Sequence, residues 1–205
     1  MPIISRAAAP LPPIARSLAL AMAIAAAPAQ QTTERLLVLE KAAATASLFD
    51  PATRKEVAKV EVGTGPHEVA VSPDGRTAVV CNYGDQMPGS SLTVIDVPRA
   101  KAIATIELQQ QPTPPETKAR TFRRPHGIRW LPDGKHVVVT SEMGRCLVVV
   151  DVGKQSIVKT LSTSQPQLHM VALAGDGNTA YGASVGDGTL GIFDLRATTP
   201  DKATV

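Results

Sequence analysis

The sequence predicts an all-β fold, a partial β-propeller of about four four-stranded blades. One phrase is written three times, as Pro66-His67-Glu68-Val69-Ala70-Val71-Ser72-Pro73-Asp74-Gly75, Pro125-His126-Gly127-Ile128-Arg129-Trp130-Leu131-Pro132-Asp133-Gly134 and His169-Met170-Val171-Ala172-Leu173-Ala174-Gly175-Asp176-Gly177. In every copy the His precedes the Asp-Gly by seven residues. Apolar runs closed by an Asp follow each copy, at Leu92 to Asp96, Leu147 to Asp151 and Leu190 to Asp194. Beyond residue 29 no stretch sustains helical periodicity. A repeat of roughly 40 residues built from short strands is the unit that propellers stack.

The elements follow in order. Arg6 and Arg16 lead into an Ala-rich apolar run from Ser17 to Ala27, and Ala27-Pro28-Ala29 has the small-x-small form of a cleavage site. Residues 1–29 are therefore expected to be a signal peptide, the mature chain to start near Gln30, and the protein to be periplasmic or secreted. The apolar run is about half the roughly 20 residues a bilayer requires, so no membrane span is expected. A linker over 30–35 enters blades at approximately 36–62, 65–108, 124–162 and 166–205. In each full unit, strand one follows the His, strand two follows the Asp-Gly turn, strand three ends in the Asp-closed run and strand four lies outermost. The first blade lacks its opening strand, and the last reaches a possible fourth strand only at Ala203-Thr204-Val205. Two full and two incomplete blades leave unpaired strand edges, which predict self-association.

Composition narrows the partners. Loss of Arg6 and Arg16 with the signal takes the formal charge from +3 to +1, and the local excess of Lys118, Arg120, Arg123 and Arg124 sits in one loop. No nucleic-acid partner is expected from such a distribution. Cys81 and Cys146 occupy different positions of their repeats and have neither metal spacing nor the look of a disulfide pair. The Asp-Gly pairs read as hairpin turns, where Asp bonds its own backbone and Gly supplies positive φ. Asp50, Asp96, Asp151 and Asp194 belong to four different blades and read as turn caps rather than a cation array.

The recurrent histidines admit two readings. Each heads strand one, and counting alternately it shares a face with apolar residues such as Ile128 and Trp130, so it could cap the interblade core. Alternatively, strand one is innermost in a propeller, and its start lies on the face formed by the loops joining strands four to one and two to three. The long stretches Tyr83 to Ser91 and Gln109 to Arg124 belong to that face, and long loops on a rigid scaffold are where binding usually resides. A ligand-binding face would comprise His67, Glu68, Asn82, Tyr83, Arg124, His126, Glu142 and His169, open to a small-molecule or protein ligand. The residues by themselves assign no catalysis and no cofactor. Converging imidazoles from His67, His126 and His169 would nevertheless suit Cu or Zn.

The phrase from Gly65 to Val80 with the later Leu92-Thr93-Val94-Ile95-Asp96 resembles the YVTN-type β-propeller repeats, over essentially all of residues 36–205. That resemblance implies an exported protein, and measured against the usual seven blades it makes this chain fragment-like. A second resemblance concerns chemistry. Pro125-His126, Pro132-Asp133-Gly134 and Ser141-Glu142 are similar to the lactonase propellers of the phosphogluconolactonase and carboxymuconate-cyclising group, and Asn82-Tyr83-Gly84 resembles their Asn-Tyr-Gly. It implies a lactonase-like hydrolase with Glu142 on the family's Glu and His126 where an Arg is usual. The pattern of one His per blade is also similar to the copper-binding propellers of the nitrous oxide reductase type, which implies a metal role for His67, His126 and His169.

Overall fold

Sixteen strands, all paired antiparallel, account for the regular structure of the described residues. The computed structural model describes residues 34–112 and 118–197. The expected signal peptide, most of the 30–35 linker and the possible strand at Ala203-Thr204-Val205 lie outside them. Among the described residues no helix is long and apolar enough to cross a membrane.

The first sheet contains β1 (Leu36–Glu40), β2 (Thr45–Asp50) and β3 (Lys55–Glu61). The second orders β4 (Pro66–Val71), β5 (Thr77–Gly84), β6 (Pro88–Asp96) and β7 (Lys101–Glu107) from inside outward. A small ribbon of β8 (Gln109–Gln110) and β9 (Arg120–Thr121) follows. The third blade is β10 (Pro125–Trp130), β11 (His136–Ser141), β12 (Cys146–Asp151) and β13 (Ser156–Ser162). The fourth described sheet is β14 (Leu168–Leu173), β15 (Thr179–Ser184) and β16 (Leu190–Asp194). This is the expected partial propeller, with three-stranded sheets at either end of the described chain.

Alternation along the middle strands builds the core. On β5, Val79 and Cys81 face the third blade, whereas Ala78 and Val80 face the first. On β11, Val137 and Val139 face back toward the second blade and Val138 faces the fourth. Strands sandwiched on both faces must be apolar at every position, which is why Val137-Val138-Val139 and Leu147 to Val150 read as continuous runs. Each fully buried Val, Leu or Ile contributes about 1.5–3 kcal/mol. Cys81 and Cys146 are both free and buried in the core between the second and third blades, and burial raises both thiol pKa values, that of Cys146 to about 12.

The repeated aspartates are turn residues. Asp74, Asp133 and Asp176 each accept a backbone N–H two residues on, at 3.0, 2.8 and 2.8 Å, and the following glycines are left-handed. Asp50, Asp96, Asp151 and Asp194 cap the later turns, accepting from Ala52, Arg99, Lys154 and Arg196 at 2.8 to 2.9 Å.

Both expected long loops contain strand pairing among their described residues. Tyr83 to Ser91 is largely hairpin, because β5 runs to Gly84 and β6 begins at Pro88, with Gly84 opposite Pro88. Only Asp85 to Met87 turns, held by Asp85 Oδ1 accepting from the Met87 N–H at 3.0 Å. In the Gln109 to Arg124 connection, the β8–β9 ribbon delivers Phe122, 1% exposed, into the core between the second and third blades. The buried ring fixes this end of the connection to the scaffold.

Candidate functional site

Every innermost strand is entered in the same unusual way. The residues just before β4 and β10, Gly65 and Arg124, have φ of 60° and 57°, and Gln167 before β14 has 50°. Each strand then slips register at its start, between Pro66 and Val69, Pro125 and Ile128, and Leu168 and Met170. The histidines sit inside these irregular stretches, and a bulge breaks alternation and re-aims the side chain it carries. Counting faces straight from the His is therefore not valid here.

The re-aimed rings form one row. His67 and His126 have centroids 4.2 Å apart, and His126 and His169 are 3.6 Å apart with planes inclined by 33°. Tyr83 closes the row, edge-on to His126 at 5.5 Å and tilted to His67 at 5.2 Å. Gly127 permits the tightest of these approaches. A Cβ there would meet Val171 N at 2.7 Å, His169 O at 2.9 Å and Met170 Cα at 2.9 Å, all backbone atoms of the neighbouring blade. Thr140 stitches the same junction, accepting from Gly127 N–H at 2.8 Å and donating to the His169 carbonyl at 2.7 Å.

Electrostatics separates the histidines. His126 is 2% exposed, and neither ring nitrogen has a hydrogen-bond partner. Burial first, then repulsion from His169 and His67, holds its pKa down to about 4, so the ring is neutral at physiological pH. Burial, then the Lys41 charge, also lowers that of His67. His169 is different, because its Nδ1 lies 2.5 Å from Glu142 Oε1. A carboxylate only accepts, so Nδ1 carries a proton, and in the neutral tautomer that this bond selects the lone pair is on Nε2. The second Glu142 oxygen, Oε2, accepts from the Tyr83 hydroxyl at 2.8 Å, and burial followed by this bond raises the phenol pKa.

Cations surround the Tyr83 ring. The Arg124 guanidinium lies 4.6 Å from its centroid and donates to the Asp85 carbonyl at 2.9 Å, and Lys41 Nζ lies 5.1 Å from the same centroid. Tyr83, Arg124 and Glu142 border an open basin of about 620 Å³ whose wall is completed by Met143, Arg145, Pro166, Gln167 and Gly186. Two groups have the donor set and proximity to hold a metal ion, His67 with Glu68 and His126, and His126 with Glu142 and His169. In each, the ligand atoms lie within 4.8 Å of one another.

Of the residues the sequence proposes for the ligand face, His67, Glu68, Tyr83, Arg124, His126, Glu142 and His169 come together. Asn82 does not join them. It is 2% exposed, and its amide is spent inside the second blade, accepting from Gly63 N–H at 3.1 Å and donating to Ser91 and Thr93 at 2.9 and 3.0 Å. Sequence reasoning did not single out Lys41, Arg145 or Gln167. Arg145 and Gln167 stand at left-handed turn positions, φ 50° each, which no residue-type preference announces. The available signal for Arg145 is its place just past strand two, beside Glu142.

Comparison with known proteins places the chain in a family. The family model described as lactonase, 7-bladed beta-propeller, matches residues 29–159. Among solved structures the chain is similar in fold to Kuenenia stuttgartiensis hydrazine synthase, with a TM-score of 0.68 and 24% identity, covering 83% of this chain and 45% of that one. It thus spans less than half the length of that structural relative. No curated protein matches it. The YVTN-type resemblance runs over 36–205, whereas the family match is to the lactonase type and to a shorter stretch. With well over half of its residues matched, this chain belongs to the lactonase family of seven-bladed β-propellers.

Proposed function

We propose that the rim carrying Glu142 and His169 hydrolyses lactones that bear an anionic group, and that the YVTN-type repeats are the form this family's blades take here. One observation carries the reading. Glu142 bridges His169 Nδ1 and the Tyr83 hydroxyl at the edge of a basin that also contains Arg124 and Arg145. A carboxylate that fixes the tautomer of a histidine prepares its far nitrogen as a general base.

In the proposed reaction, His169 Nε2 takes a proton from water as the oxygen adds to the lactone carbonyl. The ring C–O bond then breaks, and the imidazolium returns the proton to the departing alkoxide, giving the open hydroxy acid. Glu142 stabilises the imidazolium in between. Arg124 and Arg145 suit a carboxylate or phosphate on the substrate, because guanidinium groups grip such anions through paired donors. The resemblance to lactonase propellers pairs Glu142 with His126. The geometry favours His169, because His126 is buried and makes no contact with a carboxylate short enough to be a hydrogen bond. The order of residues 1–29 suits an exported enzyme, and N-terminal sequencing of cell-derived protein tests that by finding a start near Gln30.

The test of the activity uses the purified full chain and a panel of sugar-acid lactones with and without a carboxylate or phosphate, read as acid release. Turnover confined to anionic lactones and lowered about 10²–10⁴-fold in Glu142→Gln is expected. Ligand binding without turnover of any lactone, or a Glu142→Gln variant as fast as wild type, refutes it.

A further inference from the structure

We infer that His126, His67 and Glu68 form a binding site for a divalent transition-metal ion, Zn or Cu, beside the Glu142–His169 pair. This does not rest on the lactonase reading, since it assigns neither Glu142 nor His169 as a ligand.

The first argument is the state of His126. A buried polar atom without a partner is destabilising, and His126 has two, on a ring held in place by its neighbours on both sides. The surrounding row offers no fixed protein donor or acceptor to pay that cost. An ion accepting the lone pair of the neutral ring would satisfy one of the two nitrogens.

The second argument is which donors remain uncommitted. Glu142 is already engaged on both oxygens, with His169 and with Tyr83. His67 and Glu68, by contrast, enter no side-chain hydrogen bond or ion pair among the described residues, and each offers a ligand atom within 4.8 Å of the others and of His126. Both fall in the unpaired stretch between Pro66 and Val69. There the bulge frees consecutive residues from pointing to opposite faces, so one short segment can supply two ligands.

The third argument is reach. Ligand atoms bound about 2.0–2.2 Å from one tetrahedral ion stand roughly 3.3–3.6 Å apart, so the group must draw in by little more than an ångström. His67 is exposed and Glu68 half-buried, and both can rotate toward the fixed His126. Two imidazoles and one carboxylate form the ligand type that open zinc sites use, with a further position left for water or substrate.

The experiment titrates metal-free full-length chain with Zn²⁺ by calorimetry and with Co²⁺ by visible absorption. One saturable ion per chain is expected, with the Co²⁺ spectrum of a low-coordinate nitrogen and oxygen site. His67→Gln and Glu68→Gln are expected to weaken binding at least about tenfold each, with circular dichroism unchanged. These two partly exposed positions carry the test because replacing the buried His126 would also read on folding. Glu142→Gln should keep metal affinity while losing any lactone turnover, which separates failure of this site from failure of the hydrolase reading. Absence of stoichiometric binding, wild-type affinity in both His67→Gln and Glu68→Gln, or loss of affinity only on replacing Glu142 or His169 would overturn the assignment.

Discussion

Replacing Gly127 by Ala adds one methyl group where two blades approach most closely. Its Cβ would stand 2.7 Å from Val171 N and 2.9 Å from both His169 O and Met170 Cα, against the 3.4 Å at which ordinary contact begins. All three obstacles are backbone, so no side chain can swing aside, and the strands must part by about 0.7 Å. Overpacking of that kind costs about 1–3 kcal/mol, which in a propeller of this size lowers Tm by roughly 2–4 °C for each kcal/mol. The same displacement pulls His169 from its 3.6 Å contact with His126 and strains the Thr140 bond to the His169 carbonyl. Misplacing a catalytic group by an ångström can cost about 10²-fold in rate, so if His169 acts as proposed, lactone turnover should fall well beyond what the loss of folded protein explains. Differential scanning fluorimetry and kinetics at a temperature well below Tm measure both. A Gly127→Ala variant with wild-type Tm and wild-type turnover would mean that the blades do not meet here as described, and the reasoning that links this glycine to the histidine row would fall.

Arg124 holds φ 57° without being glycine, so Arg124→Gly should relieve backbone strain and leave Tm within about 2 °C of wild type. With the guanidinium gone, KM for an anionic lactone should rise roughly tenfold or more, and an unchanged KM would remove Arg124 from substrate binding. Glu40, at the end of β1, makes its side-chain bonds within the first sheet, with Thr45, Ser47 and Lys59, and reports on stability. Hydrogen bonds from Lys59, then Thr45 and Ser47, hold its pKa at about 2 against an ordinary 4.5. A folded-state pKa below the unfolded one gives stability that is present above the unfolded pKa and lost as pH falls toward the folded one. The Tm gap between wild type and Glu40→Gln should therefore be open at pH 7, narrow below about pH 4.5 and close near pH 2. A gap that does not vary with pH would show that the Lys59 contact contributes nothing through charge.

The blades were legible because their causes are local. Asp74-Gly75, Asp133-Gly134 and Asp176-Gly177 make the same turn wherever they occur, since an Asp bonding its own backbone and a left-handed Gly need nothing distant. Runs such as Val137-Val138-Val139 announce strands covered on both faces, because only such strands are apolar at every position. The seven-residue step from His to Asp likewise places each imidazole at the start of an innermost strand. From the sequence alone, then, come the strand order within a blade, the turns, the sandwiched cores, and the residue types that crowd one rim.

Tertiary structure decided what those residues do to one another. The sequence treats His67, His126 and His169 as equivalents, yet one is exposed, one is buried without a hydrogen-bond partner, and one is bonded to Glu142. It offers Asn82 beside Tyr83, yet the amide turns into its own blade while the phenol reaches across to the next. These differences arise from register slips at the strand entries and from a glycine that lets two backbones nearly touch. Both are properties of how blades seat against each other. The 27 residues that separate Glu142 from His169 in the chain carry no local signal of the 2.5 Å that separates their side chains, because that distance is set by packing between blades rather than by conformation within one.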